Sequence, residues 1–169
     1  KSTVSTIGGV CHDVGFMYIT GTGIPKTLTS RMEEASRAFF ALPLEQKMQI
    51  AMSKGGSAWR GYFPTGEELT SGKPDQKEGI YFGVEGDAHD TRALHGVNQW
   101  PADMEQYRVD VMEYLSHMKR VSTAVMGGIA DFLYDFHEDG VDGAASKAFR
   151  ASFDEPTELF RIFGYPSPK

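Results

Sequence analysis

The sequence predicts a mixed α+β chain, rich in helix, organised around one long core helix with a few short strands. Three observations predict it. From Met104 through Tyr107, Val111, Leu115, Met118, Val121, Val125, Ile129, Phe132 and Phe136, apolar residues recur at steps of three or four, which is the period of a helix with one buried stripe. Runs rich in aromatic and β-branched residues, at 16–19, 59–63, 79–84 and 158–165, are short and separated by glycine-bearing turns. Helix and strand patterns do not alternate in a repeated βαβ order, so a doubly wound parallel sheet is not indicated.

The elements follow in order. Val4, Ile7 and Cys11 share one helix face, with Gly15 as the stop. Phe16-Met17-Tyr18-Ile19 reads as a strand and Gly21-Thr22-Gly23 as a turn. Pro25 suits a helix start, and Ile24, Leu28, Met32, Ala35 and Phe39 form the apolar stripe of the helix that follows. Pro43 interrupts it, and 44–52 can form another helix. A loop at 53–57 leads to a strand at 59–63. A polar loop at 65–76 leads to a strand at 79–84. The long loop 85–99 precedes Pro101, which opens the long helix ending near Phe136. A short helix at 144–153 and a strand at 158–165 complete the chain.

Composition narrows the function classes. The 169 residues are 40% hydrophobic and 24% charged, which excludes a disordered chain, and the length is that of one ordinary domain. The net charge of −6, with no Lys/Arg cluster, argues against a nucleic-acid partner. No run approaches the ~18 apolar residues of a membrane span, and residues 1–9 lack the apolar core of a secretory signal. Cys11 is the single cysteine, so no internal disulfide can form. A cytoplasmic location is the expectation.

Most motifs have plain readings. Gly21-Thr22-Gly23 lacks the third glycine of a dinucleotide loop, with Lys26 in that place, and is a turn. Of the five histidines, His137 with Asp139 spells H-x-D, two thirds of a His/Asp/His iron site, but no histidine follows it. His89 and His95 share a loop without a third anchored ligand. No G-x-S-x-G elbow supports a hydrolase. Asp75-Gln76-Lys77-Glu78 reads as a solvated rim or an ion pair. On the strand Trp59-Arg60-Gly61-Tyr62-Phe63, alternation sends Arg60 and Tyr62 to one face. There they would either grip a carboxylate or leave Arg60 as a surface residue stacked on aromatic rings.

The order of motifs resembles that of a known family. Gly15-Phe16-Met17-Tyr18-Ile19, Gly23-Ile24-Pro25 and the run from Phe39 to Lys47 come first. Arg60-Gly61-Tyr62, Asp75-Gln76-Lys77-Glu78, the run from Leu94 to Pro101 and the run from Leu159 to Pro166 follow. Together they resemble the N-terminal region of the isopenicillin N synthase-like, non-haem iron, 2-oxoglutarate-dependent dioxygenases. Thr22 stands where many members carry a histidine. The resemblance implies the helix-rich N-terminal portion of a double-stranded β-helix (jelly-roll) oxygenase. Residues 1–153 would be the N-terminal region, and 154–169 the start of the catalytic jelly roll.

It implies a reaction in which Fe(II), 2-oxoglutarate and O2 oxidise a small organic molecule by hydroxylation or desaturation. The metal ligands and most of the cosubstrate site would lie outside this chain, leaving it inactive alone. It implies substrate contact by Arg60, Tyr62 and Phe63, and cosubstrate contact by Tyr165. An oxidase of the same family that uses no 2-oxoglutarate, or a non-catalytic binding domain, are the alternatives.

Overall fold

The structure is a computed structural model that describes residues 2–134 and 140–166. Phe136, His137 and Asp139 lie outside the described residues. The chain divides into two compact units. One comprises 1–24 and 116–156, the other 25–115 and 157–169. The long helix α4 (Glu105–Tyr134) contributes its residues through Leu115 to the second unit and the remainder to the first.

In the first unit, α1 (Thr3–Asp13) starts at Ser2, whose Oγ accepts a hydrogen bond from the Ser5 amide at 3.2 Å. It ends at Gly15, whose amide bonds the Val10 carbonyl at a φ of 88°. Gly8 is set by packing, since a Cβ there would lie 2.0 Å from the Phe132 ring. The expected strand at 16–19 does not form. Phe16 is 72% and Tyr18 98% exposed, and no described residue pairs with this backbone. A strand exists only through a partner, so residue preference alone is not enough here. Arg120 donates to the Thr22 carbonyl at 2.5 Å. The short helix predicted at 144–153 is α5 (Ala144–Ala151), where Tyr134, Phe149 and Phe153 contact edge to face or tilted.

In the second unit, α2 (Lys26–Ala41) buries Leu28, Met32, Ser36 and Phe39. The helix expected at 44–52 is reduced to α3 (Leu44–Lys47), followed by single 3₁₀ turns at Met48–Ile50, Met52–Lys54 and Gly56–Ala58. Ala51 breaks it by adopting extended dihedrals and bridging to Tyr62, so a tertiary contact overrides local helix preference.

Strands β1 (Gly61–Phe63), β4 (Glu78–Gly83) and β5 (Leu159–Gly164) form an antiparallel sheet in the order β1-β4-β5. The expected loop at 65–76 contains a small hairpin of β2 (Leu69–Thr70) and β3 (Lys73–Pro74). Ser71 and Gly72 turn it with φ of 53° and 76°, the paired left-handed conformation of a tight hairpin turn.

Register sorts the sheet's side chains. Tyr62, Ile80 and Ile162 are opposite one another, and Phe82 faces Phe160. Phe63, Gly79 and Phe163 form the neighbouring row, followed by Gly61, Tyr81 and Arg161. The first set packs on α2 and the start of α4, where Phe39 meets Tyr62 and Tyr107 meets Phe82. The long helix is therefore a core element mainly in its first part. Tyr107, Val111 and Leu115 are buried, whereas Val121, Val125, Ile129 and Phe132 are half-buried.

Candidate functional site

The site is built on the face of the sheet turned away from the helices. Phe63, Tyr81 and Phe163 form a three-ring cluster with centroids 5.6 to 6.4 Å apart. Their edge-on and tilted contacts suit the ring quadrupoles. Two cations border them. Lys77 Nζ stands 4.7 Å from the Phe163 centroid, and the Arg161 guanidinium lies 5.3 Å from that ring and 5.8 Å from Tyr81.

Lys77 is neutralised by Glu68 and Asp75, each at 3.0 Å, and both hydrogen bonds raise its pKa. Glu68 also accepts from the Tyr81 hydroxyl. Burial, then the Glu68 bond, pushes the Tyr81 phenol up, while Arg161 pulls the other way. No carboxylate among the described residues pairs with Arg161. Tyr165 lies beyond the cluster, 6.5 Å from Phe163 between centroids and 70% exposed.

The predicted residues separate. Phe63 belongs to this cluster. Tyr62 points to the helix-packed face and is 1% exposed. Its hydroxyl donates to Glu78 Oε2 at 2.6 Å, and the same oxygen takes Lys47 Nζ at 2.6 Å. Burial and that carboxylate drive the Tyr62 phenol well above its ordinary value. Asp75 and Lys77 form the expected ion pair, but Glu78 turns inward.

Arg60 does not share Tyr62's face. It precedes β1, and Gly61 between them has a φ of 112°, which breaks the alternation the sequence reading assumed. A Cβ at Gly83 would lie 2.0 Å from Arg60 Nη2, so the guanidinium occupies the Gly83 position of the far face. Arg60 is not a surface residue stacked on rings either. It is 1% exposed and donates to the carbonyls of Ala58 at 2.8 Å, Leu94 at 2.9 Å and Glu158 at 3.3 Å. Burial lowers its pKa, and Glu85 partly offsets this.

The loop 85–99 is pinned rather than free. Asn98 copies a strand edge, its Oδ1 accepting from the Gly83 amide at 2.9 Å and its Nδ2 donating to the Gly83 carbonyl at 2.8 Å. Gln99 Nε2 donates to the Ala51 and Arg60 carbonyls. Trp100 stacks on Phe82 at 4.7 Å.

Sequence reading missed Tyr81, Glu68, Asn98 and Arg161 as parts of this arrangement. Alternation applied to 159–164 would have placed Arg161 and Phe163 on one face. Nothing local signals the reach of Glu68 to Tyr81. His89 and His95 do not converge with a third ligand. Among the described residues no three His, Cys, Asp or Glu side chains are grouped to hold a metal ion, so these residues do not fit an iron centre. No described helix is long and apolar enough to cross a membrane.

The profile described as the N-terminal region of non-haem dioxygenase in morphine synthesis matches residues 1–103. A Dictyostelium discoideum protein named "probable iron/ascorbate oxidoreductase" is 36% identical over 95% of this chain and 46% of its own length. A homoarginine-6-hydroxylase of rice (Oryza sativa subsp. japonica) is 33% identical over 96% of this chain and 48% of its own. The crystal structure of a 2OG-Fe(II) oxygenase family protein from Caulobacter crescentus superposes with a TM-score of 0.72 at 27% identity, covering 96% of this chain and 51% of that one. The chain thus spans about half the length of the curated relatives it matches. With more than half of its residues covered by the profile, the chain belongs to the non-haem dioxygenase N-terminal family.

Proposed function

We propose that this chain is the N-terminal part of a cytoplasmic Fe(II)/2-oxoglutarate-dependent oxygenase that oxidises a small organic molecule with O2. The observation that carries the reading is the family match through residue 103, joined to relatives over the whole chain that are named oxidoreductases and hydroxylases. In this reading residues 154–169 lead into a catalytic jelly roll, and the iron ligands belong to that part of the protein. Iron with 2-oxoglutarate and O2, when bound there, supplies the oxidising chemistry.

This chain's residues supply a wall. Phe163, half-buried, gives an apolar substrate surface contact, and Phe63 and Tyr81, 1% and 3% exposed, back it from within. Tyr165 approaches the cosubstrate. Arg60 and Tyr62 act from behind. Arg60 ties three backbone segments together, and Tyr62 fixes β1 to Glu78, so that Phe63 is held in place. The homoarginine hydroxylases among the relatives make amino acids the first substrates to test.

The test is succinate release by the full-length protein supplied with iron(II), 2-oxoglutarate and O2, with and without L-homoarginine and related amino acids. The reading expects succinate that depends on 2-oxoglutarate and increases with a substrate. Oxygen uptake without 2-oxoglutarate consumption would instead support the family's 2-oxoglutarate-independent oxidase chemistry. No uptake of either would support a binding domain.

A further inference from the structure

We propose that Arg161 is the anchor for a carboxylate on the substrate, which makes the substrate class of this site small organic acids, including amino acids. This rests on the reading of the far face as the substrate wall.

Four observations converge on Arg161. It lies mid-strand on β5, opposite Tyr81 in the register, so a rigid ladder places it rather than a loop. Its guanidinium lies over two aromatic rings, at 5.3 and 5.8 Å, and meets the Tyr81 hydroxyl, so the side chain is held in one place at an exposed position. It is exposed, and no carboxylate among the described residues pairs with it.

The neighbouring charges do not substitute for it. Lys77 is held between Glu68 and Asp75 at 3.0 Å each, and Glu68 is further occupied by Tyr81. Arg60, the other guanidinium directed to this face, has both terminal nitrogens on backbone carbonyls. Of the unit's other arginines, Arg31, Arg37 and Arg92 each meet an acid at 2.7 to 2.8 Å, and Arg108 lies 5.8 Å from Trp100, the ring stacked on Phe82 of the opposite face. A guanidinium in this setting pairs with a carboxylate through two parallel N–H···O bonds, a geometry lysine cannot reproduce.

The test is calorimetric binding of L-homoarginine and its carboxamide to the full-length protein, as wild type, Arg161→Gln and Arg161→Lys. The proposal expects wild type to bind the acid at least tenfold more tightly than the amide. It expects Gln to abolish that preference and Lys to restore only part of it. Near-UV circular dichroism identifies a variant that has lost its fold, and the acid/amide ratio of the wild type then decides alone. Equal binding of acid and amide by wild type, failure of both to bind, or a preference unchanged in Arg161→Gln overturns the anchor. Substrate-free succinate release, measured in parallel, reports on the enzymatic reading separately. Its absence would sink that reading while the binding ratio still judges Arg161.

Discussion

The two faces of the β1-β4-β5 sheet come from the same three strands, one residue out of step, yet they are chemically opposite. The helix-packed face carries Tyr62, Ile80, Phe82, Phe160 and Ile162 against Phe39, Tyr107 and Tyr114. Its buried ion pair, Lys47 with Glu78, is closed on itself and on Tyr62. The far face carries rings bordered by Lys77 and Arg161, and among the described residues Arg161 meets no acid. The difference teaches how a three-stranded sheet divides labour. The period of two lets one side be packed wholly against helices while the other buries Phe63 and Tyr81 yet leaves Arg161 exposed.

The largest effect that could break this contrast is at Phe82, fully buried and stacked on Trp100. Phe82→Ala should cost ~3–5 kcal/mol of unfolding free energy. Phe163→Ala, half-buried on the far face, should cost no more than about 2 kcal/mol. Equal losses in urea melts would mean that both faces are simply core.

The same contrast runs along α4. Leu115→Ala, at a buried position, should cost ~2–5 kcal/mol. Ile129→Ala, at a half-buried one, should cost only about 1–2 kcal/mol. A larger loss at Ile129 than at Leu115 would overturn the account of where this helix is core.

A smaller effect belongs to the dry phenols. Burial pushes Tyr107 up to about 12, although Ser36 acts in the opposite direction, and it also raises Tyr62. An unfolded tyrosine titrates near 10. Above that pH the unfolded chain loses protons that the folded chain retains. The stabilisation is therefore complete below about pH 10 and is lost as pH rises toward the folded values. Urea midpoints should fall across that window, and less steeply in Tyr107→Phe. Parallel curves for wild type and variant would contradict this.

Much of the frame was legible in the sequence because periodicity survives folding. The stripe of α2, the long helix, β4 and β5 all lie within a few residues of where apolar spacing puts them. What was not legible was decided by partners. Residues 16–19 have strand composition but no ladder, and Ala51 leaves a helical run to bridge Tyr62. In the site, Phe63 comes only from the family resemblance, since alternation singles out Arg60 and Tyr62. Alternation misplaces Arg60, because one glycine in the left-handed region ends it just where the argument needed it. Glu68 and Asn98 act across loops, at separations no local pattern encodes.

The most direct test of the division between faces is a pair of denaturant titrations on Glu78→Gln and Arg161→Gln. Glu78→Gln strands Lys47 as a buried charge and should cost ~3–5 kcal/mol. Arg161→Gln removes cation–ring contacts and a contact with the Tyr81 hydroxyl at an exposed position and should cost about 1 kcal/mol. That ordering is what the account predicts. A loss at Arg161 as large as that at Glu78 would contradict it, because Arg161 would then be holding the fold together.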